Sequence, residues 1–169
     1  MLLPTRIVAA ALLAAAVPTA RAELKPGDPF PALEASGLAG GRAPHLAGRV
    51  VLVDFWASWC GPCRASFPAY AKLQGDYAAR GLLIVAVSVD QDPAAFAAFR
   101  QRYQPPFVTV LDRAQHLVCE VDVPAMPTCY LLGRDHRVRF VHRGFHGAET
   151  ERELRREIDL LLAEAPPPS

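Results

Sequence analysis

Val50-Val51-Leu52-Val53-Asp54-Phe55-Trp56-Ala57-Ser58-Trp59-Cys60-Gly61-Pro62-Cys63 decides how this chain folds. Apart from Asp54, the residues from Val50 to Trp56 are apolar and β-prone, without alternation of polar and apolar positions. Such a run marks a strand buried on both faces. It stops at Ala57-Ser58, and a helix is expected from Cys60 to about Arg80, where Phe67, Tyr70, Leu73 and Tyr77 recur at spacings of three and four. Pro68 falls inside that helix and is expected to kink it, and Gly81 to end it. Cys60 thus sits at a helix N-terminus, where free N–H groups and the helix dipole favour a thiolate. Cys63 follows one turn later and can close a small disulfide ring with it. One thiolate to attack a disulfide and a second thiol to resolve the mixed disulfide are all that exchange chemistry requires.

Working outward, Leu82 to Val89 reads as a second buried strand. Asp92-Pro93 is an N-cap with Pro at the first helical position, opening an amphipathic helix that carries Phe96, Phe99 and Tyr103. Phe107 to Leu111 is a short strand and Ala114 to Val121 a short helix. Thr128 to Leu132 and Val138 to His142 form a hairpin, and Ala148 to Ala163 a terminal helix with Leu154, Ile158, Leu161 and Leu162 on one face. Glu23 to Gly48 is rich in Pro and Gly and predicts an irregular lead-in, with a hairpin through Leu38 to Arg42. Strands alternating with helices imply parallel crossovers, and the last two strands an antiparallel pair. The expected fold class is α/β: a mixed central sheet with helices on both faces and an N-terminal extension.

The length of 169 residues allows one compact domain, and the composition, 51% apolar and 21% charged, is globular. Eighteen basic against seventeen acidic residues create no field for a polyanion, so no nucleic-acid partner is expected. Residues 1–22 have the form of an export signal. Arg6 supplies the basic region, Ile7 to Val17 the apolar stretch, and Ala20-Arg21-Ala22 the small-residue cleavage site. A spanning helix wants about 20 apolar residues, which favours cleavage near Ala22 over a retained anchor. The expected organisation is a signal peptide over 1–22, one domain over 23–164 and a disordered Pro-rich tail over 165–169. Outside the cytoplasm each of the four cysteines, Cys60, Cys63, Cys119 and Cys129, is a candidate for a disulfide or for redox work. Whether Cys119 and Cys129 form a second bridge is open at this level.

From Val51 to Cys63 the sequence resembles the active-site segment of the thioredoxin superfamily. The insertion after Asp90, the segment Phe107-Val108-Thr109-Val110-Leu111-Asp112 and the export signal are similar to the TlpA/ResA group of exported thiol–disulfide oxidoreductases. The resemblance implies a thioredoxin-like fold, with Cys60 as exposed nucleophile and Cys63 as buried resolving thiol. It makes Asp54 the buried acid that moves a proton to or from Cys63. Pro127, within Ala125-Met126-Pro127-Thr128-Cys129, matches the cis-proline facing the disulfide, which turns the backbone of Met126 outward toward an extended substrate. Trp59, Gly61 and Pro62 complete the expected substrate surface. Some ResA-like members carry Glu three residues after the second Cys. Ser66 stands there in this chain, so proton transfer rests on Asp54 alone.

Gly-Pro between the cysteines resembles reducing members, and the resemblance implies a periplasmic reductant of protein disulfides. The implied clients are of the cytochrome c maturation or copper-site assembly type, and the implied electron donor is a membrane thiol transporter of the DsbD/CcdA kind. A monomer is expected, with no cofactor and no metal. A thiol peroxidase is the alternative within enzymes, but the Pro-x-x-x-Thr-x-x-Cys pattern is absent. A Cu(I) metallochaperone using both thiolates is the alternative outside them. Trp56 and Trp59 are divided between core or rim packing and substrate contact, while His142 and His146 are expected at the surface.

Overall fold

The structure, a computed structural model, describes residues 22–41 and 44–165. The expected signal peptide, apart from Ala22, therefore lies outside the described residues, as do Arg42 and the tail after Ala165. β1 (Val50–Trp56) is buried at every position. It is followed by α1 (Gly61–Tyr77), β2 (Leu82–Ser88), α2 (Pro93–Tyr103), β3 (Val108–Leu111) and α3 (His116–Val121). β4 (Thr128–Leu132), β5 (Val138–Arg143) and α4 (Ala148–Ala163) complete the order.

The strands form one sheet in the order β3-β2-β1-β4-β5. β1 pairs parallel with β2, placing Asp54 beside Ala86, and antiparallel with β4, placing Asp54 opposite Cys129. A parallel pair needs a long return path, and α1 provides it. Because side chains alternate along β1, Val51, Val53 and Phe55 enter a core closed by α3 and the N-terminal segment, through Leu117, Val121, Phe30 and Leu33. Val50 and Leu52 point to the other core, with Tyr70 and Leu73 of α1 and Leu154, Ile158 and Leu161 of α4. Helices cover both faces, as the sequence implies.

Element ends follow local chemistry. α1 runs on through Pro68 and tightens into a 3-10 turn at Ala78–Arg80, where Gly81 at φ 110° reverses the chain. Asp92 caps α2 by accepting from Ala94 N at 2.9 Å. α3 begins two residues later than expected because Gln115 takes a left-handed conformation. Asp112 then receives the N–H groups of His116 (3.0 Å) and Val118 (2.8 Å).

The expected hairpin at Leu38 gives way to a strap along the described N-terminal segment. Gly27 donates to Val138 O at 2.8 Å, and Val138 donates to Asp28 O at 2.9 Å, at the start of β5. Ala39 and Leu111 exchange two bonds of 2.8 Å at the end of β3. The chain between them carries Phe30 and Leu33 across the sheet face. Leu38 and Ala39 thus find their partner on β3 rather than in a local turn.

Candidate functional site

Cys60 and Cys63 are joined by a disulfide at the start of α1. Cys60 is the N-cap: its sulfur accepts from Cys63 N at 3.2 Å and its carbonyl from Arg64 N at 3.2 Å. Only 5% of Cys60 is exposed and none of Cys63, so the expected exposed nucleophile is a recessed one that still keeps the more open face of the pair. Gly61 and Pro62 are exposed beside it, and Trp59 is 69% exposed. Trp56 belongs to the core, wedged between Phe67 (ring centroids 4.9 Å) and Phe99 (4.4 Å).

The loop between β1 and α1 is tied down by a residue that sequence reasoning passed over. Asp90, almost fully buried, receives the Ser58 backbone N–H on both oxygens (3.1 and 3.2 Å), the Ser58 hydroxyl (2.8 Å) and the Ser88 hydroxyl (2.7 Å). The available signal was an acid placed directly after an apolar strand, in Ser88-Val89-Asp90. Arg64 adds a bond to Ser58 O at 3.1 Å. On the other side, the Met126–Pro127 peptide bond is cis and Pro127 opens onto β4. Met126, half-buried, packs against the core cluster that includes Cys60 and Cys63.

Asp54 is fully buried on the α1/α4 face of β1. The Tyr70 hydroxyl donates to its Oδ1 at 3.0 Å, while Oδ2 has no hydrogen-bond partner among the described residues. Desolvation raises its pKa well above the ordinary carboxylate value, and the Tyr70 bond opposes this without overcoming it. No hydrogen bond joins Asp54 to Cys63 in this oxidised form. Ser66, fully buried, bonds back to Cys63 O at 2.8 Å, so its hydroxyl is spent on the helix backbone.

Cys119 and Cys129 are free thiols, the first exposed and the second buried, which closes the question of a second bridge. Burial pushes the Cys129 thiol up, with the neighbouring Asp54 carboxyl adding to the effect. His146 is exposed as expected, but His142 departs from expectation. It is only 13% exposed and meets Glu157 of α4 at 2.6 Å, with Glu153 at 3.7 Å. The cause is α4 lying across β5, which its sequence spacing alone does not reveal.

The structure thus carries a disulfide at the N-terminus of α1, a cis-proline at the start of β4 and a buried acid on β1. The model for the Redoxin family matches residues 25–158. The chain belongs to this family. Within it, this Redoxin-family chain is 34% identical to the thioredoxin-like protein YneN of Bacillus subtilis over 116 residues, covering 67% of itself and 65% of that protein. It is 28% identical to the thiol–disulfide oxidoreductase ResA of Halalkalibacterium halodurans (72% and 67% covered) and 33% identical to ResA of B. subtilis (55% and 52% covered). The chain thus spans between about half and two thirds of the length of these relatives. A proposed thiol:disulfide interchange protein DsbE of Chlorobium tepidum superposes with a TM-score of 0.76 at 32% identity, over 83% of this chain and all of that one. The fold is thioredoxin-like and the chain is ResA-like.

Proposed function

We propose that this chain is an exported thiol–disulfide oxidoreductase that reduces protein disulfides. The observation that carries the reading is the asymmetric Cys60–Cys63 pair at the N-terminus of α1, one sulfur recessed but reachable and the other sealed. In the dithiol form, the Cys60 thiolate attacks a client disulfide. One client sulfur leaves as a thiolate and takes up a proton, and Cys60 is held in a mixed disulfide. Cys63 then gives its proton to ionised Asp54 and attacks the Cys60 sulfur. The second client thiolate is released, the client has gained two electrons, and the Cys60–Cys63 disulfide has formed.

An extended client segment would lie on Trp59, Gly61, Pro62 and Met126, with the buried cis-Pro127 setting the backbone of Met126. Two electrons must be returned before another cycle, and the proposed donor is a membrane thiol transporter of the DsbD/CcdA type. Proposed clients are cysteine pairs awaiting haem or copper in exported proteins. Export rests on the apolar stretch and small-residue site in residues 1–22. Cys63→Ser tests the reading, because it leaves the attack intact and removes the resolving thiol. The expected result is accumulation of a mixed disulfide through Cys60, reversed by dithiothreitol and abolished by adding Cys60→Ser. Equal trapping by Cys60→Ser alone would reverse the assignment of the two cysteines.

A further inference from the structure

Cys63 and Tyr70 are seven residues apart on α1, about two turns, so both face the sheet on one stripe of the helix. Asp54 lies beneath that stripe, and the Tyr70 hydroxyl is its hydrogen-bond partner. The tyrosine ring packs edge-on to Phe107 and Phe145, contacts that a phenylalanine would make equally well. A buried hydroxyl is costly unless it is used, and here it donates to Asp54, with the Cys129 thiol beside it.

We propose that Tyr70 is a positioning residue for thiol exchange. Its hydroxyl holds Asp54 through Oδ1, leaves Oδ2 as the oxygen that carries the proton, and thereby sets the pH at which Asp54 serves Cys63. The proposal rests on the reading that Asp54 accepts the proton of Cys63.

The direction follows from the groups around Asp54. Burial keeps the Tyr70 hydroxyl protonated, since its own pKa is raised well above the ordinary phenol value. It therefore remains a donor to Oδ1, and Oδ2, which has no partner among the described residues, is the oxygen open to the proton. A donor to the ionised form favours ionisation, while desolvation opposes it. The other group that meets the Tyr70 hydroxyl is Cys129, whose S–H is only a weak donor. β2 presents Ala86, and β4 presents the Cys129 thiol, which burial keeps protonated. Glu157 of α4, whose charge reaches Cys129, is engaged by His142 of β5. On α1, Cys63, bonded to Cys60 here, becomes in the dithiol form the thiol whose proton Asp54 is proposed to take. Without the hydroxyl, desolvation acts alone and Asp54 ionises only at higher pH.

The test uses the full chain in its dithiol form. Asp54 is titrated through its carboxyl ¹³C resonance, and insulin reduction is followed from pH 5 to 9, in wild type, Tyr70→Phe and Asp54→Asn. In Tyr70→Phe the Asp54 midpoint is expected to move up, and the acid limb of the rate profile with it. A loss of about fivefold near neutral pH, recovered at the alkaline end, corresponds to one hydrogen bond of ordinary strength. Replacing Tyr70 by 3-fluorotyrosine, a stronger donor of nearly the same shape, is expected to move the midpoint down, and this variant serves if Tyr70→Phe does not fold. An unmoved Asp54 midpoint in the folded variant overturns the proposal, even if melting temperature falls. Should Asp54→Asn react like wild type at every pH, the underlying proton-acceptor reading fails instead, and the two failures are told apart.

Discussion

Asp54 bears on stability as well as on the proposed chemistry, and the two effects have opposite signs. Its folded-state pKa is raised, chiefly by desolvation, above an unfolded value near 3.8. The folded protein then holds the proton more tightly than the unfolded chain, so stability falls as pH climbs from the unfolded pKa through the folded one. Above that window the buried charge remains a constant penalty. Asp54→Asn removes it while keeping the shape, and the variant is expected to gain on wild type progressively as pH rises through the window. Urea denaturation at a series of pH values checks this, and parallel curves for the two proteins would count against it. With Asp54 as the proposed acceptor of the Cys63 proton, the same variant is expected to exchange thiols more slowly. Asp54 was legible in the sequence because a lone acid within an apolar strand is conspicuous. Its partner Tyr70 was read only as one apolar position of a helix, because periodicity reports which face a residue occupies and not what its hydroxyl meets.

The loop between β1 and α1 depends on an element that lies elsewhere in the chain. Asp90, just after β2, binds Ser58 through both backbone and side chain, so the turn that presents Cys60 is braced by the neighbouring strand. Asp90→Ala leaves the half-buried donors of Ser58 and the buried hydroxyl of Ser88 without this acceptor and is expected to cost about 1–3 kcal/mol. Chemical denaturation measures that cost. A loss below about 0.5 kcal/mol would show that the loop holds itself, the level typical of an uninvolved surface site. Strands and helices were legible from Val50-Val51-Leu52-Val53, from the Asp92-Pro93 cap and from the apolar stripe of α4. The brace was not, because it joins residues 32 apart in sequence. The burial of His142 escaped for a related reason: Glu153 and Glu157 come from a helix whose docking angle no local pattern encodes. The strap misled the hairpin reading because Gly-rich segments signal a turn equally whether the next partner is near or distant.

For the molecule as a whole, the proposed direction of electron flow rests on how little the reduced form is favoured. A strong oxidant gains its power from a stabilised thiolate in its reduced state. Here the Cys60 sulfur receives one backbone N–H, Pro62 has none to offer, and Arg64 directs a guanidinium N–H to Ser58 O. Equilibration against glutathione is expected to give a potential nearer to thioredoxin, about −270 mV, than to DsbA, about −120 mV. A value above about −180 mV would make the protein an oxidant or isomerase rather than a reductant. The N-terminal strap carries a different consequence for the intact fold. β3 and β5 are the two outer strands, and unpaired backbone on an outer strand is a template for another chain. By mating with Leu111 at one border and Val138 at the other, the segment from Gly27 to Ala39 acts as an intramolecular plug against edge-to-edge pairing. Removing it takes Phe30 off Tyr130 and frees both borders at once. A chain trimmed through Gly41 is expected to self-associate with rising concentration in sedimentation velocity more than the untrimmed chain does.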